Sequence, residues 1–212
     1  SLSLFKQWQL NRKSMKNLKK EDMLSIYNRE KQYLIDAISN GSDPYHFFSL
    51  STVCNNVANS RMIVLRNIIL EPFTIYFNCD IRSPKADQLK KQNKCTVLFY
   101  HQKRKIQMRL ECNIKMHYKN KLTEKIWINT PLQSRKCYMG KYNPSSELES
   151  WHPNVPTQYI DRDPSEKDSN IGYENFTHIA LCVINTDILE LHYDGHIRFR
   201  VNNKNQITFL AP

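Results

Sequence analysis

The stretch IQMRLECNIKM, residues 106–116, carries the clearest secondary-structure signal in the chain. Every even-numbered position in it is apolar and every odd-numbered position is polar. Because successive side chains of a strand point to opposite faces, this alternation predicts a β-strand with one buried and one polar face. We therefore expect a sheet that has a core on one side and a surface for a ligand or a partner on the other.

Further strands are predicted on both sides of this one. The dipeptides Asn55-Asn56 and Asp194-Gly195 are typical of tight turns between antiparallel strands. Helices are predicted over 14–38, 83–92 and 122–129 from their apolar spacing and their capping residues. Together these patterns predict a mostly β fold with peripheral helices, in which an antiparallel sheet closes into a barrel. The predicted strands are 47–53, 61–69, 73–78, 96–101, 106–116, 179–183, 188–192, 196–201 and 207–210.

The length of 212 residues is near the upper end of one ordinary domain, so residues 1–212 are expected to form a single domain. Residues 141–175 differ from the rest, because they contain four prolines, many polar residues and little periodicity. We interpret them as a long surface excursion. Since this segment contains Trp151 and Tyr159, part of it is expected to pack on the body or on a second subunit.

The six cysteines lie far apart, with no C-x-x-C pair and no histidine at ligand spacing. This pattern indicates neither a zinc site nor a disulfide framework, and it favours reduced thiols in a cytoplasmic protein without a bound metal. No apolar run has the length that a membrane span needs, so no membrane association is expected.

The formal net charge of +11 raises the question of a nucleic-acid partner. The cationic excess is concentrated in residues 82–125, which hold thirteen Lys and Arg. Residues 143–175 are acidic instead. No nucleic-acid-binding motif accompanies the basic segment, and several of its cations belong to a candidate phosphate site. The sequence therefore argues against a nucleic-acid partner.

That candidate phosphate site is the turn Arg82-Ser83-Pro84-Lys85, at the start of a predicted short helix. Two cations and a hydroxyl there surround free backbone amides at the positive end of the helix dipole. Arg61 can add a bidentate grip on the same phosphate. An ordinary capped helix with solvated cations is the alternative for the turn taken alone. The chain has no P-loop and no G-x-G-x-x-G, so the usual glycine-rich phosphate sites are missing.

Other polar side chains have two interpretations each. Gln107 can pair its amide with the edge of a heteroaromatic ring, or it can be exposed to water. Arg66 is either a ligand contact or a solvated cation. In the tail, His196, Arg198 and Arg200 alternate and should share a face. Three such groups repel one another unless an anion joins them or water screens them.

The order of these motifs resembles the pyridoxamine 5'-phosphate oxidase-like FMN-binding split barrels, in the branch whose second motif reads R-S-x-K. The resemblance covers about two thirds of the chain. No single motif decides it, but the ordered set is specific. Its elements are FFSLSTV, SRMIVLR, YFNCDIRSPKADQL, VLFYH, QMRLE, IW, SRKCY, ILELHYDGHIRFR and the terminal FLAP.

The resemblance implies a split β-barrel homodimer with FMN at the subunit interface. The FMN phosphate would be held by Arg61, Arg82, Ser83 and Lys85. The flavin ring would lie along the backbone of Met62, Ile63, Val64 and Leu65. Arg66 would lie near the reactive edge of the ring, Gln107 at its polar rim, and Arg200 would reach the flavin across the dimer. Phe77 and Asn78 would lie at a strand end that contacts the cofactor.

The residues that would name the substrate depart from the family pattern. Relatives hold the substrate phosphate with lysine, tyrosine, arginine and serine, and the matching positions here are Arg66, Ile126, Thr130 and Ser134. Only the serine is retained, with arginine in place of lysine. The tail keeps His196 and Arg198 near the positions that contact substrate. FMN binding is therefore better supported than pyridoxamine phosphate oxidation.

The sequence thus predicts an FMN-dependent oxidoreductase that oxidises a pyridoxamine- or pyridoxine-phosphate-like small molecule with oxygen as acceptor. Arg66, Ser134, His196 and Arg198 are the predicted substrate residues. The pattern demands no acid–base residue, so the catalytic groups are left open. The alternatives are an FMN-dependent reductase with a different substrate and a flavin-binding protein without turnover.

Overall fold

The computed structural model of the protein describes residues 18–212. Its first helix, α1, spans Lys20–Ala37, and residues 14–17 of the predicted helix lie outside the described part of the chain. The helix begins where the side chain of Asp22 accepts a hydrogen bond from the backbone N–H of Lys19. It packs Met23, Tyr27 and other apolar side chains against the sheet, as its three- and four-residue spacing predicts.

Strands dominate the remainder of residues 18–212. They are β1 (Phe47–Cys54), β2 (Val57–Val64), β3 (Asn67–Leu70), β4 (Phe73–Asp80), β5 (Lys94–His101), β6 (Ile106–Tyr118), β7 (Phe176–Glu190), β8 (Ile197–Asn202) and β9 (Ile207–Phe209). The further helices are α2 (Pro84–Lys91), α3 (Lys121–Ile128), α4 (Leu132–Arg135) and α5 (Glu166–Ser169). Short 3-10 turns span Pro44–His46, Lys136–Tyr138, Thr157–Tyr159 and Asn170–Asn175.

All strand pairs are antiparallel, and the sheet has the order β2-β1-β5-β6-β7-β4-β3, with β8 paired to β7 and β9 paired to β8. The two ends of this order, β2 and β3, follow each other in the chain. The sheet curls round without closing, and its inner face holds the core. The predicted split β-barrel is confirmed.

The prediction of one strand over 61–69 is wrong, because the chain changes partner in the middle of that range. The backbone N–H of Leu65 donates to the carbonyl of His46, on the β1 side. The next N–H, of Arg66, donates to the carbonyl of Tyr76 on β4. The split of the barrel lies at this step. Arg61 consequently lies inside β2 and does not start a strand.

The prediction of separate strands over 179–183 and 188–192 is also wrong, since β7 runs unbroken from Phe176 to Glu190 and joins the two ranges. The polar stretch Asn185-Thr186-Asp187 lies in the gap between the two predicted strands. In the structure Thr186 is buried on the inner face, and Asp187 bonds to arginines on the outer face. The register between β6 and β7 shifts opposite Glu111 and Cys112, where β7 carries the extra residue Ile184, and both halves of β7 stay paired with β6.

The excursion over 141–175 is partly fixed to the body. The indole N–H of Trp127 on α3 donates to Asn170 Oδ1 over 3.3 Å, and Arg135 Nη1 donates to Ser169 Oγ over 3.0 Å. Trp151, in contrast, is 87% exposed. The end of the excursion therefore packs on the domain, and its middle presents an aromatic side chain to the surface.

Across the described residues, no helix has both the length and the apolar character required to span a membrane. The six cysteines are unpaired, with Cys79, Cys95 and Cys112 buried in the core. In the same part of the chain no cluster of histidine, cysteine or acidic side chains is suited to hold a metal ion.

Candidate functional site

Arg61 lies on β2 opposite Leu50 of β1, at the end of the barrel that α2 covers. Its guanidinium donates to the carbonyl of Leu50 over 3.3 Å, to Thr52 Oγ1 over 2.6 Å and to Gln88 Oε1 on α2 over 3.1 Å. All three acceptors are neutral. Burial lowers the pKa of Arg61, and among the described residues no carboxylate offsets this cost. The site therefore holds a fixed cation without a counter-charge.

Helix α2 brings a second cation to the same place. Lys85 and Gln88 are three residues apart in the helix, so their side chains share a face. Because Gln88 bonds to Arg61, that face points towards Arg61. Lys85 forms no salt bridge with any residue in the described part of the chain. Helical spacing thus puts Lys85 on the face of α2 that carries Gln88, and the shared phosphate site of Arg61 and Lys85 stays a prediction.

Arg82, at the same turn, has a different environment. Its guanidinium binds both carboxylate oxygens of Asp80, with the closest contact at 2.7 Å. Its Nη1 donates to the carbonyl of Gly140 over 3.0 Å. The Arg82 charge is therefore compensated, and the side chain links the turn to the beginning of the 141–175 excursion.

Ser83 occupies the N-cap position of α2, but its hydroxyl does not cap the helix. The side chain is fully buried, and Oγ donates to the carbonyl of Asp80 over 2.7 Å. The expectation that the serine hydroxyl bonds the first free amides is therefore wrong. The hydroxyl instead closes the turn between β4 and α2, which leaves the amides at the helix start without a side-chain acceptor.

The backbone segment predicted to run beside a flat ring lies at the edge of the sheet. The side chains of Ile63 and Leu65 point into the core, whereas Met62 is 64% exposed and Arg66 is exposed. Arg66 lies close enough to Tyr138 for its charge to lower the tyrosine pKa, against the larger upward shift that burial causes. Arg66 therefore faces the region after α4, the helix that contains Ser134.

Phe77 and Asn78 lie side by side on β4 but face opposite sides of the sheet. Phe77 is fully buried and packs on Phe48, so only its backbone is open to a ligand. Asn78 Oδ1 lies 2.7 Å from Nδ1 of His178 on β7. An amide oxygen can only accept, so His178 Nδ1 carries the proton and the Nδ2 group of Asn78 is left as a donor.

Gln107 and the tail residues lie on the outer face of the sheet. Gln107 pairs with Leu189 of β7, which pairs with Arg198 of β8. Gln107 and Arg198 are therefore two strand spacings apart, roughly 10 Å. No side chain in the described part of the chain hydrogen-bonds to the Gln107 amide.

The outer face also supplies the anion that the tail cations require. Asp187 accepts hydrogen bonds from Arg198 over 3.2 and 3.0 Å and from Arg109 over 2.7 Å. These arginines hold the pKa of Asp187 below its usual value, against the effect of burial. Arg200 is exposed, and His196 Nδ1 accepts from the backbone N–H of His192. The three predicted tail residues share a strand region, but only Arg198 is fixed by a carboxylate.

Several of these functional contacts are missing from the sequence-based prediction. Gln88 had a usable signal, because it lies three residues after Lys85 on a predicted helix. Asp80 had one too, two residues before Arg82. Asp187 and His178 had none, since the first lay in a predicted break and the second lay just before a predicted strand.

With this geometry in hand, comparison with known proteins gives a family. Residues 29–118 match the family model of the "Pyridoxamine 5'-phosphate oxidase, FMN-binding domain". This part of the chain is similar to that domain. The match contains Arg61, Lys85 and Gln107 and ends before α3, so it covers the cofactor half of the candidate site. The family is the one predicted from the sequence, and its cofactor, FMN, is the one predicted as well.

Solved structures agree on the fold. The chain is similar to a pyridoxamine 5'-phosphate oxidase-related, FMN binding protein from Nostoc punctiforme, with a TM-score of 0.60, 18% identity and coverage of 94% of this chain and 100% of the other. It is also similar to PhzG from Burkholderia lata in complex with tetrahydrophenazine-1-carboxylic acid, with a TM-score of 0.64, 15% identity and coverage of 88% and 92%. A general stress protein 26-related protein from Clostridium acetobutylicum is similar with a TM-score of 0.52 and 11% identity, and the match covers 87% of this chain and 97% of the other. No curated protein matches the chain by sequence.

The residues at the site fit an FMN molecule. The uncompensated charge of Arg61 suits a phosphate dianion, and Lys85 adds a second cation on the helix that bonds to Arg61. The open amide of Gln107 suits the polar edge of a flavin ring, which carries both donors and acceptors. Arg82 fits less well as it stands, because Asp80 already takes up its hydrogen-bonding edge.

Proposed function

We propose that the chain is an FMN-dependent oxidoreductase related to pyridoxamine 5'-phosphate oxidase, acting on a pyridoxamine- or pyridoxine-phosphate-like substrate with oxygen as electron acceptor. The observation that carries the proposal is the Arg61 guanidinium, which is fixed by Leu50, Thr52 and Gln88 and lacks an anionic partner. A phosphate would supply that partner. Arg61 and Lys85 would hold it, and Ser83 would keep the turn between β4 and α2 closed.

The flavin ring would lie along the edge strand β2. The backbone of residues 62–65 would run beside it, the Gln107 amide would bind its polar rim, and Asn78 would offer its Nδ2 donor. When bound, FMN supplies the two-electron redox chemistry, which no side chain can supply. Arg66, two residues after the end of β2, would position an anionic substrate group near the ring.

We further propose that the active form is a homodimer. Apolar side chains on the outer face of neighbouring strands are left uncovered: Met62 is 64% exposed, Tyr100 45%, Phe47 40% and Leu98 37%. Apolar patches of this kind mark protein interfaces. A second copy that covers this face would bring Arg200 of one subunit towards the cofactor of the other. The reduced cysteines suit a cytoplasmic location.

The substrate end of the site favours a second candidate, an FMN-dependent reductase with a different substrate. Ile126 offers no polar group where relatives have a tyrosine. The hydroxyl of Thr130, just after α3, donates to the carbonyl of Ile126 over 2.8 Å, so its proton is already used by the end of that helix. Ser134 alone cannot hold a phosphate dianion. Arg198, held by Asp187, would then orient a carboxylate or a carbonyl instead.

The cofactor part of the proposal is tested with the purified full chain and the Arg61→Gln variant. FMN affinity is measured by quenching of flavin fluorescence. A charge-assisted hydrogen bond contributes about 1.5–3 kcal/mol, so the variant should bind FMN about 10- to 100-fold more weakly. The control is Arg162→Gln, which removes an exposed arginine of the excursion. Equal affinities for Arg61→Gln and the control would overturn the assignment of the phosphate site.

The reaction is tested by adding pyridoxamine 5'-phosphate to the FMN-loaded protein without oxygen. Loss of the oxidised-flavin absorbance, restored by oxygen, would support oxidase activity. If the absorbance persists and NAD(P)H bleaches it, the reductase is favoured. If neither reduces the flavin, both enzymatic proposals fail while FMN binding stands.

A further inference from the structure

The excursion over 141–175 folds back and forms a pocket. A hollow of about 420 Å³ lies between the start of the excursion, its middle and the end of the last 3-10 turn. Pockets of roughly 300–1,000 Å³ are the usual size for small-molecule sites. This one is separate from the candidate flavin ring site, because it lies beyond Gly140, on the excursion side of Arg82.

The walls of the pocket are held in place by specific hydrogen bonds. Asn154 forms two bonds with the backbone of Tyr142, from Tyr142 N–H to Oδ1 and from Nδ2 to the carbonyl, each 2.9 Å long. Asn175 Nδ2 donates to the carbonyl of Tyr138 over 2.8 Å. A Cβ at Gly140 would lie only 2.3 Å from the carbonyl oxygen of Asn154. The excursion therefore closes on the body as tightly as the backbone allows.

The lining combines an apolar surface with hydrogen-bond donors. Met139, Val155 and Ile171 supply apolar surface, and Lys141 and His152 supply polar groups. No carboxylate occurs among the described residues that line the pocket. This is notable in its setting, because the excursion as a whole is acidic. The charge of the pocket is thus opposite to that of its surroundings.

His152 is oriented even though it is exposed. Its Nδ1 accepts a hydrogen bond from the backbone N–H of Asn154 over 2.9 Å, and its ring packs edge-on against Tyr142. The neutral ring must therefore carry its proton on Nε2, on the side away from Asn154. Lys141 adds a cation next to the same tyrosine. Both groups can donate to a negatively charged ligand.

We propose that this pocket binds a small organic anion, whose apolar body packs on Met139, Val155 and Ile171 and whose carboxylate meets Lys141 and His152. The pocket gives the excursion a role that the flavin site does not need. The proposal does not depend on the FMN-dependent reaction, since the lining residues are distinct from those that would hold the flavin.

The test uses the full chain, isotope-labelled, with 2-naphthoate as the anionic probe and 2-naphthamide as its neutral match. Backbone amide NMR shifts are followed during each titration. The expected result is saturable binding of 2-naphthoate that shifts the Gly140, Tyr142 and Asn154 signals, with markedly weaker binding of 2-naphthamide. Lys141→Met should weaken 2-naphthoate binding about tenfold, since it removes one charge-assisted contact. Lys167→Met, an excursion lysine outside the pocket, should leave it unchanged.

A second variant, Ile171→Glu, tests the pocket independently of any indirect effect that the Lys141→Met substitution has on the structure. Ile171 is 67% exposed, so Ile171→Glu should fold normally and place a carboxylate in the wall. It should abolish 2-naphthoate binding, whereas Ile160→Glu, at an exposed position away from the lining, should not. The proposal would be overturned if the NMR shifts were confined to other regions or if binding did not saturate. It would also be overturned if both probes bound equally and Lys141→Met had no effect.

Discussion

His178 on β7 makes the stability of the fold depend on pH. Its side chain is buried, its ring stacks on Tyr76 at 5.1 Å with an interplanar angle of 9°, and its Nδ1 donates to Asn78 Oδ1. Burial, together with the smaller effect of the charge of the neighbouring His117, lowers the pKa of His178 from 6.5 to about 4. Burial lowers the pKa of His117 in turn, and the charge of Lys115, on the same face of β6, adds to that effect.

The sign follows from comparing the folded and the unfolded chain. Unfolded, His178 takes up a proton below pH 6.5, whereas in the folded chain it stays neutral down to about pH 4. The stabilisation is therefore complete above pH 6.5 and is lost as the pH falls towards 4. Each pKa unit corresponds to about 1.4 kcal/mol, so the loss amounts to roughly 3 kcal/mol of unfolding free energy.

His178→Gln removes this titration and keeps a side chain that can bond to Asn78. We expect the wild-type protein to lose roughly 3 kcal/mol more than the variant between pH 7 and pH 4. Urea unfolding at several pH values measures this difference, and carboxylates common to both proteins cancel. His152→Gln, at an exposed position, should keep the wild-type pH dependence. Parallel curves for wild type and His178→Gln would refute the reasoning.

Three further changes test other parts of the structure. Glu30→Gln should cost about 3–5 kcal/mol of unfolding free energy, because Glu30 is the fully buried counter-charge of two arginines; urea unfolding measures it. Asp187→Asn should cost about 1–2 kcal/mol by the same method, a value reduced because its partner Arg198 is partly exposed. Gly140→Ala should destabilise the excursion by about 1–3 kcal/mol, because its Cβ meets the Asn154 backbone, and faster amide exchange at Asn154 reports it.

Each of these changes has a result that would contradict it. If Glu30→Gln had the same unfolding free energy as the wild type, the buried charge network would not contribute to stability. The exposure of Arg198 indicates that the outer face is open to water. If Asp187→Asn lost as much unfolding free energy as Glu30→Gln, that interpretation would be contradicted. Unchanged amide exchange in Gly140→Ala would show that the excursion does not close tightly at this glycine.

The parts of the fold that depend on local pattern were predictable. The alternation over 106–116 gave β6, and Asn55-Asn56 gave the hairpin between β1 and β2, where both residues have a positive φ. The division of residues 61–69 was not, because it depends on hydrogen bonds to His46 and Tyr76 that only the folded sheet brings close. A strand that changes partner has the same local pattern as one that does not.

The same limit applies to the candidate site. The sequence identifies Arg61 and Lys85 as cations, but not whether an anion neutralises them. Arg82 has the same residue type and lies at the same turn as Lys85, and yet the fold pairs it with Asp80. Asp187 was missed because a polar stretch inside a long strand looks like a turn when the neighbouring arginines of other strands are unknown.

Ion pairing therefore separates the arginines into two groups that the sequence could not distinguish. Arg82 and Arg198 bind carboxylates and position other parts of the chain, whereas Arg61, Arg66 and Arg200 form no salt bridge with any residue among 18–212. A cation that already has a counter-charge gains less from a phosphate than one that lacks it, because the ligand must then displace or share the existing partner. The repulsion expected among the tail cations is relieved by Asp187 without any ligand, so those residues alone do not demand one. The demand for an anion lies at Arg61, and this is the residue on which FMN affinity should depend most.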